Sequence, residues 1–218
     1  PQTVCTLGPL VQAQRLSVWS AHPDEQATLS QLGLTGELPS LNGRDGIAVT
    51  LNNGAGNKMD IYLDRQVEYV ASVDPATGLT QAGLRVTVTN NAPEGLPDYV
   101  VGNGVGDPPY ATRQLVSIYT ALPVKSVTLN GQPGTANFGT ERGWNVAPFF
   151  VGIPHGKSVI FTLQLEGTLD VSQGYGLTWK PQPLGRDATL VVDVHTTDGR
   201  SILAPGQRSS TNVGVFVQ

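Results

Sequence analysis

The chain has 218 residues and a formal net charge of −4; 14% of its residues are charged, and it contains 26 Gly, 16 Pro and one Cys. This length suits one large domain or two small ones, and the ordinary apolar content excludes a disordered chain. With 13 Lys and Arg against 17 Asp and Glu, there is no basic stripe for a phosphate backbone, and no apolar run is long enough to span a bilayer. We therefore expect neither a nucleic-acid partner nor membrane contact by this fragment itself.

The first predicted elements are a strand at 14–20 and a helix behind it. Pro23 suits the first helical turn, where its missing N–H is not needed, and Asp24 and Glu25 suit the positive end of the helix dipole. A helix is therefore predicted from Pro23 to about Leu32. We divide the chain into an N-terminal strand-helix segment at 1–40, which could complete an upstream domain absent here, and a β-sandwich at 41–218.

The stretch from Gly46 to Asn90 carries the clearest strand pattern. Its apolar residues recur at every second position, which predicts strands with one buried face and one solvated face. Turn-forming residues at 52–57 and 74–78 separate these strands. The alternating residues are Ile47, Val49 and Leu51, then Met59, Ile61 and Leu63, then Leu84, Val86 and Val88.

Many short strands are predicted after this stretch, with no helical period. Asn130-Gly131 and the turn at 154–157 predict tight hairpins, and 102–109 predicts a long exposed loop. The fold class is therefore all-β: an antiparallel β-sandwich, immunoglobulin-like or extended, with one short N-terminal helix. One extended sandwich is preferred over two. The further strands are predicted at 99–101, 113–121, 124–130, 137–145, 149–153, 158–166, 176–180, 188–195 and 212–217.

No residue is predicted to be catalytic. His22 and His155 lie in a helix cap and a turn, and His195 lies on the polar side of a strand. The chain contains no nucleophile elbow, zinc-binding helix motif or phosphate-binding loop, and no pair of acids stands out for glycoside cleavage.

A weak calcium site is predicted at Asp60, Asp64 and Asn57, because carboxylate and amide oxygens are the ligands that Ca²⁺ prefers. The spacing matches no calcium loop, and a solvated strand edge is the alternative explanation. No other cofactor is expected.

Four aromatic residues are candidates for a ligand-binding face, because sugar rings pack against flat apolar side chains surrounded by polar groups. They lie in or beside glycine- and proline-rich segments, although packing in the core is the competing explanation. The loops at 52–57, 102–110 and 143–145 are the candidate binding loops. The aromatic candidates are Trp144, Trp179, Tyr175 and Tyr110.

Cys5 is the only cysteine, so it cannot form a disulfide within the chain. It is either a small, incidental side chain or half of a disulfide to an upstream domain.

Several segments resemble the C-terminal half of the domain-of-unknown-function family numbered four-zero-one-two. They are RLSVWSAHPDEQATLSQLGLTGELP, GIAVTLNNGAGNKMDIYLDRQVEY, LRVTVTNNAPEGLPDYV, LVSIYTALPVKSVTLNG and YGLTWKPQP. The resemblance covers nearly the whole chain in order. It implies an envelope protein of actinobacteria with a membrane anchor and a further extracellular domain, often encoded near polysaccharide-assembly genes, and it supplies no catalytic residues.

These expectations together favour a non-enzymatic domain that is extracellular or in the cell envelope, within a membrane-anchored parent protein. It would act in surface organisation by binding a cell-surface glycan or an envelope protein. The alternatives are an accessory part of an enzyme of polysaccharide attachment or trimming, and a purely structural spacer.

Overall fold

The computed structural model describes residues 10, 14–102, 108–208 and 215–217. Cys5 and most of the loop predicted at 102–109 lie outside these residues. The helices are α1 (Pro23–Gln31) and α2 (Asp98–Val101), with a 3-10 helix at Met59–Tyr62. The strands are β1 (Asp45–Asn53), β2 (Leu63–Val73), β3 (Leu79–Asn90), β4 (Thr112–Thr120), β5 (Val124–Leu129), β6 (Gln132–Pro133), β7 (Gly139–Glu141), β8 (Trp144–Ile153), β9 (Ser158–Thr168), β10 (Tyr175–Pro181), β11 (Thr189–Thr196), β12 (Ser201–Arg208) and β13 (Val215–Val217).

The strands form two sheets that pack face to face. Sheet A has six strands in the order β13-β10-β1-β4-β8-β7, and sheet B has seven in the order β12-β11-β2-β3-β9-β5-β6. Most neighbours are antiparallel, whereas β1 pairs with β10 and β2 pairs with β11 in parallel. The predicted all-β sandwich with a short helix is confirmed. The described part of the chain contains no helix long and apolar enough to cross a membrane.

The core between the sheets is built by the period-two pattern seen in the sequence. β1 and β3 direct residues such as Val49 and Val86 inward, and both are almost completely buried. The strand predicted from Met59 and Ile61 is wrong, because these residues lie in a 3-10 helix. Met59 is buried in a second, smaller apolar cluster beside α2, and Ile61 is exposed.

The turn at 154–157 does not form the predicted hairpin. It connects β8 of sheet A to β9 of sheet B, so the two strands lie in different sheets. Asn130 and Gly131 do form a two-residue hairpin turn, because both have positive φ and Leu129 pairs with Gln132. A turn signal thus predicts a change of direction, but it does not specify which strands pair.

Four further segments refine the sequence predictions. The helix predicted at Pro23 is confirmed as α1. The strand predicted at 14–20 is wrong, because these residues form no strand; within them Val18 N–H donates a hydrogen bond to the carbonyl of Leu34, at 2.8 Å. The strand predicted at 99–101 is the short helix α2, and β12 was not predicted at all.

Residues 14–44, here called the N-terminal segment, contact the outer face of sheet A. Its anchor is Trp144, whose Nε1 donates a hydrogen bond to the Pro39 carbonyl at 2.9 Å. The indole lies against Gly46 of β1, where a Cβ atom would be 2.6 Å from the Trp144 ring and 2.4 Å from Leu41. A side chain at position 46 would therefore exclude the indole. The small residue on β1 is what lets the segment attach here.

Candidate functional site: a cleft on the outer face of sheet A

A cleft of about 430 Å³ lies between the N-terminal segment and the outer face of sheet A. Its floor is formed by β1, which presents the small residues Ala48 and Thr50 there. Ala48 pairs in register with Tyr119 of β4 on one side and with Lys180 of β10 on the other. Since neighbouring strands are about 4.8 Å apart, the two wall residues stand about 10 Å apart across the floor.

The turn between β7 and β8 supplies one rim of the cleft. Glu141 pairs with Trp144, and the two residues between them, Arg142 and Gly143, both have positive φ, as a tight hairpin turn requires. This turn brings the side chains of Glu141 and Arg142 to the cleft. The binding loop predicted at 143–145 adjoins this turn, but the residues that reach the cleft come just before it.

Two of the charged groups in the cleft form an ion pair with each other, and a third accepts a hydrogen bond from a tyrosine hydroxyl. Arg142 forms an ion pair with Glu37 of the N-terminal segment. The Tyr119 hydroxyl donates a hydrogen bond to Glu141 Oε2 at 2.9 Å. Partial burial and the adjacent carboxylate raise the pKa of Tyr119 to about 12. This phenol is therefore a permanent donor at neutral pH.

Lys180 has a different environment from the other charged residues. Its ammonium donates a hydrogen bond to the side-chain oxygen of Gln14. Loss of hydration in the cleft lowers the pKa of Lys180. Within the described ranges, no salt bridge to this ammonium is found.

Gln182 closes the far end of the cleft. Its side chain continues the hydrogen bonding between β10 and β1 beyond the end of β10. Leu51 N–H donates to Gln182 Oε1 at 2.8 Å, and Gln182 Nε2 donates to the Leu51 carbonyl at 3.0 Å. The flanking residues are Pro181 and Pro183, which have no N–H to donate. The amide side chain thus replaces a backbone pair and fixes this end of the cleft.

The predicted aromatic face is not formed. Trp144, Trp179 and Tyr175 are 0%, 1% and 5% exposed, so the expectation that they present rings to solvent is wrong. The competing explanation, packing inside the protein, describes all three. Their large apolar surfaces are covered by Gly46 and the N-terminal segment in one case and by the core between the sheets in the other two.

Tyr110, the fourth aromatic candidate, is half-buried and away from the cleft. Its ring packs against His155 with centroids 5.2 Å apart, and its hydroxyl accepts a hydrogen bond from Gly95 N–H at 2.9 Å. These contacts hold Tyr110 in place two residues before β4 begins. Ligand binding at Tyr110 stays a prediction.

The oxygens of the predicted calcium ligands accept hydrogen bonds from the protein. Asp60 accepts from Asn53 at 2.9 Å and from Gln114 at 2.8 Å, and Asn57 accepts from Asn53 at 3.0 Å. Asp64 forms an ion pair with Arg186 at 2.8 Å. In the part of the chain that the structure describes, no group of three or more His, Cys, Asp or Glu is placed to hold a metal. The calcium site remains a prediction.

Sequence reasoning missed a buried polar cluster between the sheets. Asp45 Oδ2 accepts hydrogen bonds from the hydroxyls of Tyr69 at 2.5 Å and Tyr175 at 2.6 Å, and Oδ1 accepts from Gly46 N–H at 2.8 Å. Burial raises the pKa of Asp45 despite these three donors. The cluster links the two sheets through polar contacts in the core, because Tyr69 belongs to sheet B and the other residues belong to sheet A.

No family model matches the chain, and no curated protein matches it. Among solved structures, it is similar to an M1 zinc metallopeptidase from Deinococcus radiodurans at 16% identity, covering 62% of this chain and 32% of that one with a TM-score of 0.34. It is also similar to a candidate nutrient-binding protein from Legionella pneumophila at 9% identity, covering 68% of this chain and 54% of that one with a TM-score of 0.38. The chain spans well under two thirds of either protein, and both TM-scores are too low to carry an argument about function.

Proposed function

We propose that this domain is a non-enzymatic binding module of the extracellular space or cell envelope, and that it holds a glycan segment in the cleft on sheet A. The observation that carries this proposal is the cleft itself. Its volume of about 430 Å³ lies in the usual range for small-molecule sites, roughly 300–1,000 Å³. It is built on strands of a rigid sheet, which supports a preformed site.

The lining suits the two kinds of surface that a sugar presents. The Tyr119 ring and the rings of Pro181 and Pro183 offer apolar surface for the C–H face of a sugar. Thr50 and Gln182 add polar side chains that can pair with hydroxyl groups. The remaining charged lining residues are Glu37, Glu141, Arg142 and Lys180.

The hydrogen bonding of the two cleft carboxylates supports binding over hydrolysis. Glu37 is ion-paired with Arg142, and Glu141 accepts a hydrogen bond from Tyr119. Most glycoside hydrolases use one carboxylic acid that donates a proton and one free carboxylate that acts as base or nucleophile. Because both carboxylates already interact with other side chains of the protein, they are better suited to binding a ligand than to transferring protons.

The envelope location and the membrane-anchored parent protein belong to the same proposal. They rest on the family resemblance of the sequence. A neighbouring envelope protein is the partner expected if no glycan binds.

Calorimetric titration with envelope polysaccharide fragments from the source organism tests the proposal. Thr50→Tyr places a bulky ring on the cleft floor, and the matched control Thr87→Tyr places the same ring on β3, at a half-buried position. We expect saturable binding by the wild type and by Thr87→Tyr, with binding lost in a folded Thr50→Tyr. Binding that survives in Thr50→Tyr would contradict the site, and a flat titration with every fragment would contradict the function.

A further inference from the structure

Lys180 distinguishes between glycans that the cleft could accept. Its ammonium stands in the cleft wall, half-buried, and its hydrogen-bond acceptor is the neutral amide of Gln14. An ammonium that has lost part of its hydration and lies beside a neutral amide is under-compensated, because burying a charge is costly unless it is paired.

The other charges of the cleft do not compensate Lys180. Arg142 and Glu37 neutralise each other at the mouth. Glu141 lies on the opposite wall, where it is exposed and accepts the Tyr119 hydrogen bond, so water screens its charge. The pKa of Lys180, lowered by lost hydration, agrees with this description.

Resting on the proposed glycan-binding function, we infer that the ligand is an acidic saccharide, whose anionic group pairs with Lys180 across the cleft floor from Tyr119. The anion would replace the hydration that Lys180 has lost, and the sugar ring would lie over Ala48 and Thr50. A lysine ammonium is a compact point charge without the planar, forked donor geometry of a guanidinium, so it can pair with a carboxylate or a phosphate substituent equally well.

Two matched ligand pairs test this inference. The first pair is the galacturonic acid disaccharide and its neutral methyl ester, and the second is mannose 6-phosphate and mannose. Each is titrated against the wild type, against Lys180→Gln, and against Lys125→Gln. Lys125 is a matched control because it lies on sheet B, ion-paired with Glu166 at 3.3 Å.

We expect the wild type to bind at least one acidic member roughly tenfold or more tightly than its neutral counterpart, as a charge-assisted hydrogen bond would give. Lys180→Gln should lose that preference, and Lys125→Gln should keep it. The pair that shows the preference identifies the anion as carboxylate or phosphate.

The failures of the two proposals are distinguishable. Equal binding of the acidic and neutral members by the wild type would overturn the role of Lys180 while leaving the glycan-binding function in place. A preference that survives in Lys180→Gln, folded as judged by its melting temperature, would overturn it too. An absence of binding by all four ligands and by the envelope fragments would overturn both proposals together.

Discussion

The outer faces of the two sheets differ although their inner faces follow the same pattern. On sheet A, the interior strand β1 turns small residues outward, and the N-terminal segment covers that face. On sheet B, the central strand β3 turns larger polar residues outward, and these pair with neighbours on the same face: Gln81 with Glu166 at 2.9 Å, and Thr89 with Ser158 at 2.8 Å. The small outward residues of β1 leave space for the N-terminal segment to pack over sheet A. The cleft is the part of that space that the segment does not fill.

The largest predicted effect concerns Trp144, which anchors the N-terminal segment on sheet A. Trp144→Ala removes a fully buried indole and the hydrogen bond to Pro39, so we expect a loss of about 3–5 kcal/mol in the free energy of unfolding. Phe150→Ala on the same strand is the control, because that ring is 63% exposed and should cost far less. Chemical denaturation of both variants measures the difference. Similar losses in the two variants would show that Trp144 does not anchor the segment.

A glycine on each sheet gives a matched pair. At Gly46 an added Cβ would lie 2.6 Å from the Trp144 ring, so Gly46→Ala should destabilise by about 1–3 kcal/mol through overpacking. At Gly83 on β3 no heavy atom lies within 4 Å of the added Cβ. Gly83→Ala should therefore be neutral or stabilising by up to about 1 kcal/mol, because it restricts the unfolded chain. Thermal unfolding should show a clear loss of stability in Gly46→Ala and none in Gly83→Ala, and equal losses in both variants would show that the two outer faces do not differ in packing.

The buried carboxyl that joins the sheets should make stability depend on pH. Burial raises the pKa of Asp45 above 3.8, so the native protein holds this proton more tightly than the unfolded chain does. The contribution is fully present below the unfolded pKa and is lost as pH rises through the folded pKa. We therefore expect the wild type to gain stability relative to Asp45→Asn on acidification, by about 1.4 kcal/mol for each unit of pKa shift. Denaturation curves of both proteins, from a pH above the folded pKa of Asp45 to one below its unfolded pKa, measure the difference in stability. A difference that does not change with pH would contradict the prediction.

The smallest predicted effect is at the mouth of the cleft. The side chains of Arg142 and Glu37 are 57% and 33% exposed, so their ion pair should contribute only about 0.2–1 kcal/mol to stability. A double-mutant cycle with Arg142→Gln and Glu37→Gln measures the coupling. A coupling well above that range, insensitive to salt, would mean that this pair and not Trp144 holds the N-terminal segment.

The elements with strong local signals could be predicted from the sequence. Pro23 with two acids marked α1, alternation marked β1 and β3, and Asn130-Gly131 marked a hairpin. These signals act within a few residues, so no knowledge of the rest of the fold is needed.

The cleft could not be predicted, because it depends on which strands become neighbours. Ala48 lies between Tyr119 and Lys180 only through the register of one antiparallel and one parallel pair, and local patterns do not encode that register. For the same reason, the burial of Trp144 could not be predicted. A tryptophan beside glycine can be exposed or buried, and what buries it is Gly46, nearly a hundred residues earlier in the chain.

The most direct test of the account is a map of backbone amide chemical shifts during titration with an envelope saccharide. We predict that the shifts concentrate at Ala48, Thr50, Tyr119 and Lys180 on sheet A, and that Gly83 and Thr87 on sheet B stay unchanged. Shifts centred on the outer face of sheet B, with the cleft residues unaffected, would contradict the central claim that the covered face of sheet A is the binding face.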